Sequence, residues 1–118
     1  MTSENTTETI LDEANRLVNG KRGSDYGHPL DNFTNTAKLW SVILGVEITA
    51  EQVALCMIQL KVARQLNKST RDNLVDICGY AQTYDMVQKE RKRRDNPESI
   101  DLEKLHGLPT VPKIGVLA

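Results

Sequence analysis

Apolar residues recur at helical spacing in four stretches of the chain, and no long stretch alternates in the manner of a strand. The first predicted helix runs from about residue 6 to residue 19, with Asn5 as its cap and Glu8 reaching back to it. The second runs from Pro29, a residue favoured at a first helical position, to just before Gly45. Its predicted inward residues are Leu30, Phe33, Ala37, Trp40 and Ile43 or Leu44.

The third predicted helix, residues 50–67, carries apolar residues around most of its circumference, which indicates a central helix contacted on several sides. Thr49 and Gln52 have the spacing of a capping box at its start. The link to the fourth predicted helix, residues 71–94, is so short that these two helices should be antiparallel neighbours.

The predicted fold class is therefore all-α, an antiparallel bundle of four main helices with a short C-terminal helix and an extended tail. We divide the chain into a helical bundle domain, residues 1–95, and a C-terminal extension, residues 96–118. The prolines at positions 97, 109 and 112 are the reason for separating the extension from the long fourth helix.

Composition indicates a soluble protein. The 118 residues are 39% hydrophobic and 26% charged, and the net charge of -1 gives no field that would attract nucleic acid or a membrane. The longest apolar run, residues 53–58, is too short to span a bilayer, and the acidic, Thr-rich N-terminus does not resemble a signal peptide. Cys56 and Cys78 are predicted to be reduced core residues. We expect a cytoplasmic protein.

Polar residues interrupt the faces on which the third and fourth helices should meet. Lys61 and Arg64 share one face of the third helix, and three residues four apart share one face of the fourth. An antiparallel hairpin should bring Lys61 level with Asp76, and Arg64 level with Asn73. The resulting cluster is Lys61, Arg64, Asp72, Asn73, Asp76 and Tyr80.

Two interpretations of this cluster stay open. The residues form interhelical ion pairs, Lys61 with Asp76 and Arg64 with Asp72, which fix the register of the helices. Alternatively, they line a polar pocket in which the two cations bind a phosphate and the carboxylates accept hydrogen bonds or ligate Mg²⁺. Two carboxylates alone supply too few oxygen ligands for strong Mg²⁺ binding.

The segment R-G-S-D-Y-G-H-P-L-D-N-F, residues 22–33, connects the first two helices and leads to one end of the bundle. Its glycines permit close backbone approach, and Pro29 makes its exit rigid. Either Asp25, Tyr26 and His28 point toward the polar cluster, or Asp25 and His28 cap the second helix while Tyr26 covers the edge of the core.

The basic run K-E-R-K-R-R, residues 89–94, ends the fourth helix, where cations interact favourably with the helix dipole. A solvated helix end is the favoured interpretation, and a nucleic-acid contact is the alternative. The sequence has no Gly-rich phosphate loop, no assignable Ser-His-Asp set and no zinc-ligand spacing.

The segments D-Y-G-H-P-L-D-N-F and D-N-L-V-D-I-C-G-Y give the chain a resemblance to a small, largely uncharacterised domain family of bacteriophage genomes, over about residues 10–88. More distantly, the third and fourth helices are similar in layout to the MazG-like all-α nucleotide pyrophosphohydrolases. That similarity implies Mg²⁺-dependent hydrolysis of nucleoside triphosphates by a dimer or tetramer, with E-E-x-x-E on one helix and E-x-x-D on the next.

The chain departs from that acidic pattern. The second motif would fall on residues 73–76 and keeps only Asp76, and the first motif has no match because Lys61 and Arg64 stand where acids would be expected. Cations in place of acids would hold a phosphate directly instead of through a metal. The resemblance thus favours nucleotide binding over hydrolysis.

The leading hypothesis is a phage-type protein that binds a nucleotide or other phosphorylated small molecule without a cofactor, for example to sequester a nucleotide signal of host defence in the host cytoplasm. It would act as a homo-oligomer. The first alternative is a Mg²⁺-dependent pyrophosphohydrolase that uses Asp72 and Asp76. The second is a protein- or nucleic-acid-interaction module. The predicted ligand-binding residues are Asp25, Tyr26, His28, Lys61, Arg64, Asp72, Asn73, Asp76 and Tyr80.

Overall fold

A computed structural model of the chain describes residues 7–20 and 25–96, which contain four main helices and no strand. They are α1 (Ile10–Asn19), α2 (Pro29–Leu44), α3 (Ala50–Asn67) and α4 (Arg71–Asp95). The all-α class is confirmed, and the last three helices begin and end within a residue of their predicted bounds. The predicted C-terminal helix and tail lie outside the described residues from position 97 onward.

The predicted start of α1 is wrong. The helix begins at Ile10, and Thr9 is its cap, with the side-chain oxygen of Thr9 accepting from the backbone N–H of Asp12 at 3.0 Å. Glu8 has a different role from the predicted one, because its carboxylate accepts two hydrogen bonds from Arg16. The predicted cap, Asn5, lies outside the described residues.

The caps of α2 and α3 follow from local chemistry. Nδ1 of His28 accepts from the N–H of Leu30 at 3.0 Å, and Gly45 ends α2 at φ +70°, a conformation that favours glycine. The predicted capping box of α3 is confirmed, because Thr49 and Gln52 exchange hydrogen bonds at 2.9 and 3.1 Å.

Helices α3 and α4 are antiparallel neighbours, because their side-chain contacts run in opposite directions along the two helices. The contacting pairs are Glu51 with Arg91, Lys61 with Asp76, and Gln65 with Asn73. Helix α2 packs against both α3 and α4, whereas α1 packs against α4.

The core is made of small residues. Among the described residues, four of the eight buried apolar residues are alanines, and the set is Ala14, Leu30, Ala37, Ala50, Val53, Ala54, Val75 and Val87. The predicted inward positions Ile43 and Leu44 are instead exposed at the end of α2. Cys56 is exposed rather than buried, and Cys78 is half-buried; both are free thiols, as predicted.

The predicted contact of α3 on several sides holds at its start, where both α2 and α4 pack against it, and the rest of the helix is more open than expected. Its first turns are buried, but Leu55, Leu60, Val62 and Leu66 are exposed. The physical reason is the position of α1, which covers α4 and leaves one side of α3 open among the described residues.

Candidate ligand-binding site

A cavity of about 350 Å³ lies between α2, α4 and the segment that precedes α2, with one residue of α3 in its wall. Four of the nine predicted ligand-binding residues and Pro29 line it, together with residues that the sequence analysis did not select. The lining is Val18, Tyr26, Gly27, Pro29, Asn32, Phe33, Lys61, Asp76, Gly79, Tyr80 and Thr83.

The wall formed by α4 follows one face of the helix. Its residues Asp76, Gly79, Tyr80 and Thr83 are spaced at i, i+3, i+4 and i+7. The hydroxyl of Thr83 donates to the carbonyl of Gly79 at 2.8 Å, so part of the polar surface of this wall is already satisfied. The predicted spacing of four residues continues from Tyr80 to Tyr84, whereas a step of three residues along the same face reaches Thr83.

Aromatic side chains form another part of the wall. The rings of Phe33 and Tyr80 lie 6.2 Å apart between centroids and are tilted by 40°, a favourable arrangement for an aromatic pair. Tyr26 lies at the cavity with 66% of its surface exposed, and it precedes Gly27, whose φ of +76° turns the chain into α2. The interpretation of Tyr26 as a cover of the core is therefore not supported.

Lys61 and Asp76 supply the charges of the cavity. Lys61 Nζ lies 3.0 Å from Asp76 Oδ2, and the side chains are 15% and 23% exposed. The predicted register of these two residues is confirmed. The pair agrees with both interpretations of the polar cluster. It joins α3 to α4, as a structural ion pair would, and it also lines the cavity, as a ligand-binding pair would.

Three predicted residues of the hairpin do not line the cavity. Arg64 is exposed, and Asp72 lies in the first turn of α4, where a carboxylate interacts favourably with the helix dipole. Asn73 donates to Gln65 Oε1 at 3.1 Å and to the carbonyl of Lys68 at 3.2 Å, so it closes the hairpin. The predicted register placed Asn73 level with Arg64, but in the structure Asn73 contacts Gln65, the next residue of α3.

His28 and Asp25 complete the predicted set. His28 caps α2, which confirms the capping interpretation for that residue. Asp25 is exposed and is not the residue that caps α2, so the capping interpretation is wrong for it. Neither residue lines the cavity.

Two buried ion pairs were missed by the sequence analysis. Arg71 binds Glu13, whose side chain is 4% exposed, at 3.2 Å and also donates to the carbonyl of Glu8. Arg91 binds Glu51, which is 2% exposed. The acid of each pair lies in the first turn of a helix, a common surface position that gave no sign of burial.

The basic end of α4 is paired with acids. Arg93 and Arg94 both donate to Glu90, and these hydrogen bonds lower the pKa of Glu90 to about 2. Arg94 also binds Asp31 of α2 at 2.5 and 3.0 Å, which lowers the pKa of Asp31 and raises that of Arg94. The sequence predicted a solvated helix end, and the partial exposure of these side chains agrees with it.

No group of three or more His, Cys, Asp or Glu within residues 7–20 and 25–96 is arranged to hold a metal ion. Over the same part of the chain, no helix combines the length and hydropathy needed to cross a membrane.

Fold and site together define a small all-α domain with an aromatic-lined cavity behind a D-Y-G-H-P segment. The chain belongs to a family described as a domain of unknown function, DUF6378, which it matches over residues 9–88. The predicted resemblance to an uncharacterised bacteriophage family is confirmed by this match together with the two phage relatives described next. The distant similarity to MazG-like enzymes stays a prediction.

The chain is similar to two phage proteins. It is 41% identical to the Gene 55 protein of Mycobacterium phage D29 over 85 residues, or 71% of this chain. It is also 41% identical to the Gene 55 protein of Mycobacterium phage L5 over 88 residues, or 73% of this chain. The matched region spans 56% of the length of each relative. No solved structure matches the chain.

Proposed function

We propose that the cavity binds a nucleotide or another phosphorylated small molecule. The single observation that carries the proposal is the meeting of an aromatic pair and a lysine–aspartate ion pair in one cavity. We also infer that the four helices form one antiparallel bundle domain, with residues 96–118 as an extension, so that the ligand would lie within the bundle.

The size of the cavity supports a ligand of mononucleotide scale. Small-molecule sites in proteins range from roughly 300 to 1,000 Å³, and they are mostly apolar with a few placed polar groups. At about 350 Å³ this cavity lies near the lower limit, which favours one ring system with a short polar extension.

The aromatic side chains suit a nucleobase. A base stacks on the ring of a Tyr or Phe, and each such contact is worth about 1–3 kcal/mol. Tyr26 is exposed enough to move over a bound ring, and Phe33 and Tyr80 pack on each other in the wall of the same cavity. Asn32 offers both a donor and an acceptor for the edge of a base.

Lys61 and Asp76 suit the polar part of a nucleotide. The ammonium group carries three N–H donors, and a phosphate oxygen can accept one while Asp76 retains another. The carboxylate of Asp76 accepts hydrogen bonds from a sugar hydroxyl or from a base N–H group. This use of Lys61 retains the predicted phosphate contact, whereas Arg64 stands outside the cavity.

The biological use that we propose is sequestration of a host nucleotide signal in the host cytoplasm. Its support is the family membership and the phage origin of the two relatives. A binding protein of this kind needs no cofactor and no catalytic group, only a cavity that retains its ligand.

The experiment is an incubation of the full chain with a panel of linear and cyclic nucleotides and Mg²⁺. After ultrafiltration, the retained protein is heat-denatured, and both fractions are analysed by chromatography. An intact nucleotide that leaves the filtrate and returns on heating is the expected result. New products in the filtrate would instead favour the Mg²⁺-dependent pyrophosphohydrolase. A nucleotide panel that stays unchanged in the filtrate would contradict the proposal.

A matched pair of variants ties retention to the cavity. Tyr26→Ala removes an exposed aromatic ring from the cavity wall, and Leu11→Ala removes an exposed apolar side chain from α1. Both should leave the fold intact, since neither side chain is buried. Loss of retention in the first variant only would support the site, and equal retention in both would contradict it.

A further inference from the structure

One face of α2 exposes large apolar side chains to solvent. Leu39, Val42 and Ile43 share a helical face, and Val46 follows the end of the helix; all four are 58 to 82% exposed. We name these four residues the α2 apolar face. It lies away from the cavity, because none of its members lines that cavity.

The described part of the chain exposes more large apolar side chains than it buries. Twelve are exposed among the described residues, whereas the buried apolar set contains only Leu30 and three valines besides its alanines. Contiguous exposed apolar surface on a small soluble protein typically marks an interaction site. A core this small also gains from burying further surface in a permanent contact.

Charges at the two ends of the face are opposite in sign. Lys38 precedes Leu39, and Glu47 follows Val46; both are exposed. If two copies of α2 pack antiparallel about a two-fold axis, Val42 of one copy meets Ile43 of the other. The same axis brings Lys38 and Leu39 of each copy level with the residues that follow the end of α2 in the other, Val46 and Glu47, at two symmetric places.

We propose that the α2 apolar face is the interface of a homodimer in which α2 packs antiparallel against α2 of a second copy. The arrangement pairs apolar with apolar residues and opposite with opposite charges, as a two-fold interface requires because the same surface serves both partners. This inference is independent of the proposed ligand and extends the predicted homo-oligomer to named residues.

The first test measures the mass of the full chain by sedimentation velocity from low to high micromolar concentration. The expected mass is twice the 13.2 kDa of one chain, or four times it if dimers associate further. Val42→Glu places two charges at the centre of the interface and should weaken association at least about a hundredfold. A wild-type chain that is monomeric throughout would overturn the proposal.

The second test exchanges the charges. Lys38→Glu alone sets two carboxylates against each other at two symmetric places, and Glu47→Lys alone sets two ammonium groups together there. Each single variant should weaken association about tenfold, since two attractions become two repulsions. The double variant should recover the wild-type affinity, and a mixture of the two single variants should form heterodimers.

The controls separate the interface from the fold. Leu11→Glu changes another exposed apolar residue, on α1, and should leave the mass unchanged. Circular dichroism of each variant should show the same helix content as the wild type. Association that survives Val42→Glu, or that fails to return in the double charge exchange, would overturn the proposal, because the chains would then associate through another surface.

Discussion

Two ion pairs tie α3 to α4 and lie in different surroundings. Lys61 and Asp76 meet at the cavity, where each side chain keeps some exposure. Glu51 and Arg91 meet toward the other end of the helix pair, where the glutamate is buried and the arginine is partly exposed. One oxygen of that glutamate, Oε1, has no hydrogen-bond partner among the described residues.

The comparison teaches that pairing alone does not distinguish a structural charge from a functional one. Both pairs join an acid and a base across the same two helices. A buried carboxylate depends on its partner because removal of that partner leaves an uncompensated charge in the core. A pair on a cavity wall can exchange part of its hydrogen bonding with a ligand, so its loss should affect binding more than stability.

The largest effect is expected at the buried pair. Arg91→Met leaves the Glu51 carboxylate buried without its cation and should lower the free energy of unfolding by about 3 kcal/mol. Urea denaturation followed by circular dichroism, at one fixed protein concentration, measures it. Adding Glu51→Gln should recover part of the loss because the uncompensated charge is then absent.

Arg93→Met is the matched control for that prediction. Arg93 is more exposed than Arg91 and binds Glu90 on its own helix, so its replacement should change stability by less than about 1 kcal/mol. Equal losses in the two variants would show that burial of Glu51 does not set the difference between the pairs.

A smaller effect on stability, with a larger one on binding, is expected at the cavity. Lys61→Met should cost about 1–2 kcal/mol in unfolding because both partners of the pair keep some contact with solvent. It should weaken retention of a nucleotide at least about tenfold, since a charge-assisted phosphate contact is lost. Equilibrium dialysis of a retained nucleotide measures the second change.

Lys68→Met controls for the loss of one positive charge. Lys68 is exposed at the hairpin and does not line the cavity, so its replacement should leave retention within about twofold of the wild type. Equal weakening in both variants would mean that positive charge attracts the nucleotide at long range, and it would contradict a direct contact between Lys61 and the phosphate in the cavity.

The smallest effect is expected from the network around Glu90, whose two arginine partners are partly exposed. Two arginines lower the pKa of this carboxylate from 4.5 to about 2 in the folded protein. A lowered folded pKa means that the contribution of Glu90 to stability is present above pH 4.5 and is lost as the pH falls toward 2. The stability difference between the wild type and Glu90→Gln should therefore shrink across that window.

The salt dependence of stability provides a second check on the predicted contribution of the Glu90 ion pairs. The arginines that bind Glu90 are 65% and 39% exposed, and exposed charges are screened by salt, so added sodium chloride should reduce the difference between wild type and Glu90→Gln at neutral pH. The difference between wild type and Arg91→Met should change less, because that pair is partly shielded from solvent. A salt response of equal size in both would remove the contrast between exposed and buried pairs.

Local signals predicted much of the fold. The capping box of Thr49 and Gln52, Pro29 at the start of α2, and Gly45 at its end each act within a few residues, so the sequence contains all that they need. The start of α1 was missed because two overlapping capping signals compete there. Thr9 is the residue that caps the helix. The carboxylate of Glu8 accepts from Arg16, and its backbone carbonyl accepts from Arg71.

The candidate site could be predicted only in part. Lys61 and Asp76 followed from the hairpin register, since a short link fixes which turns of two helices are level. Phe33, Asn32 and Val18 come to the cavity from other helices, and no spacing within one helix indicates which residue of another helix will face it.

The sequence by itself determined the presence of four helices, the bounds of the last three, the capping box of α3 and the antiparallel pairing of α3 with α4, because these depend on interactions between near neighbours along the chain. Only the tertiary structure decided which charges are buried, which apolar faces stay exposed and where the cavity lies. Those outcomes depend on how α1 and α2 pack on α3 and α4. Packing is set by the combined shape of many side chains, and no single pattern along the chain records it.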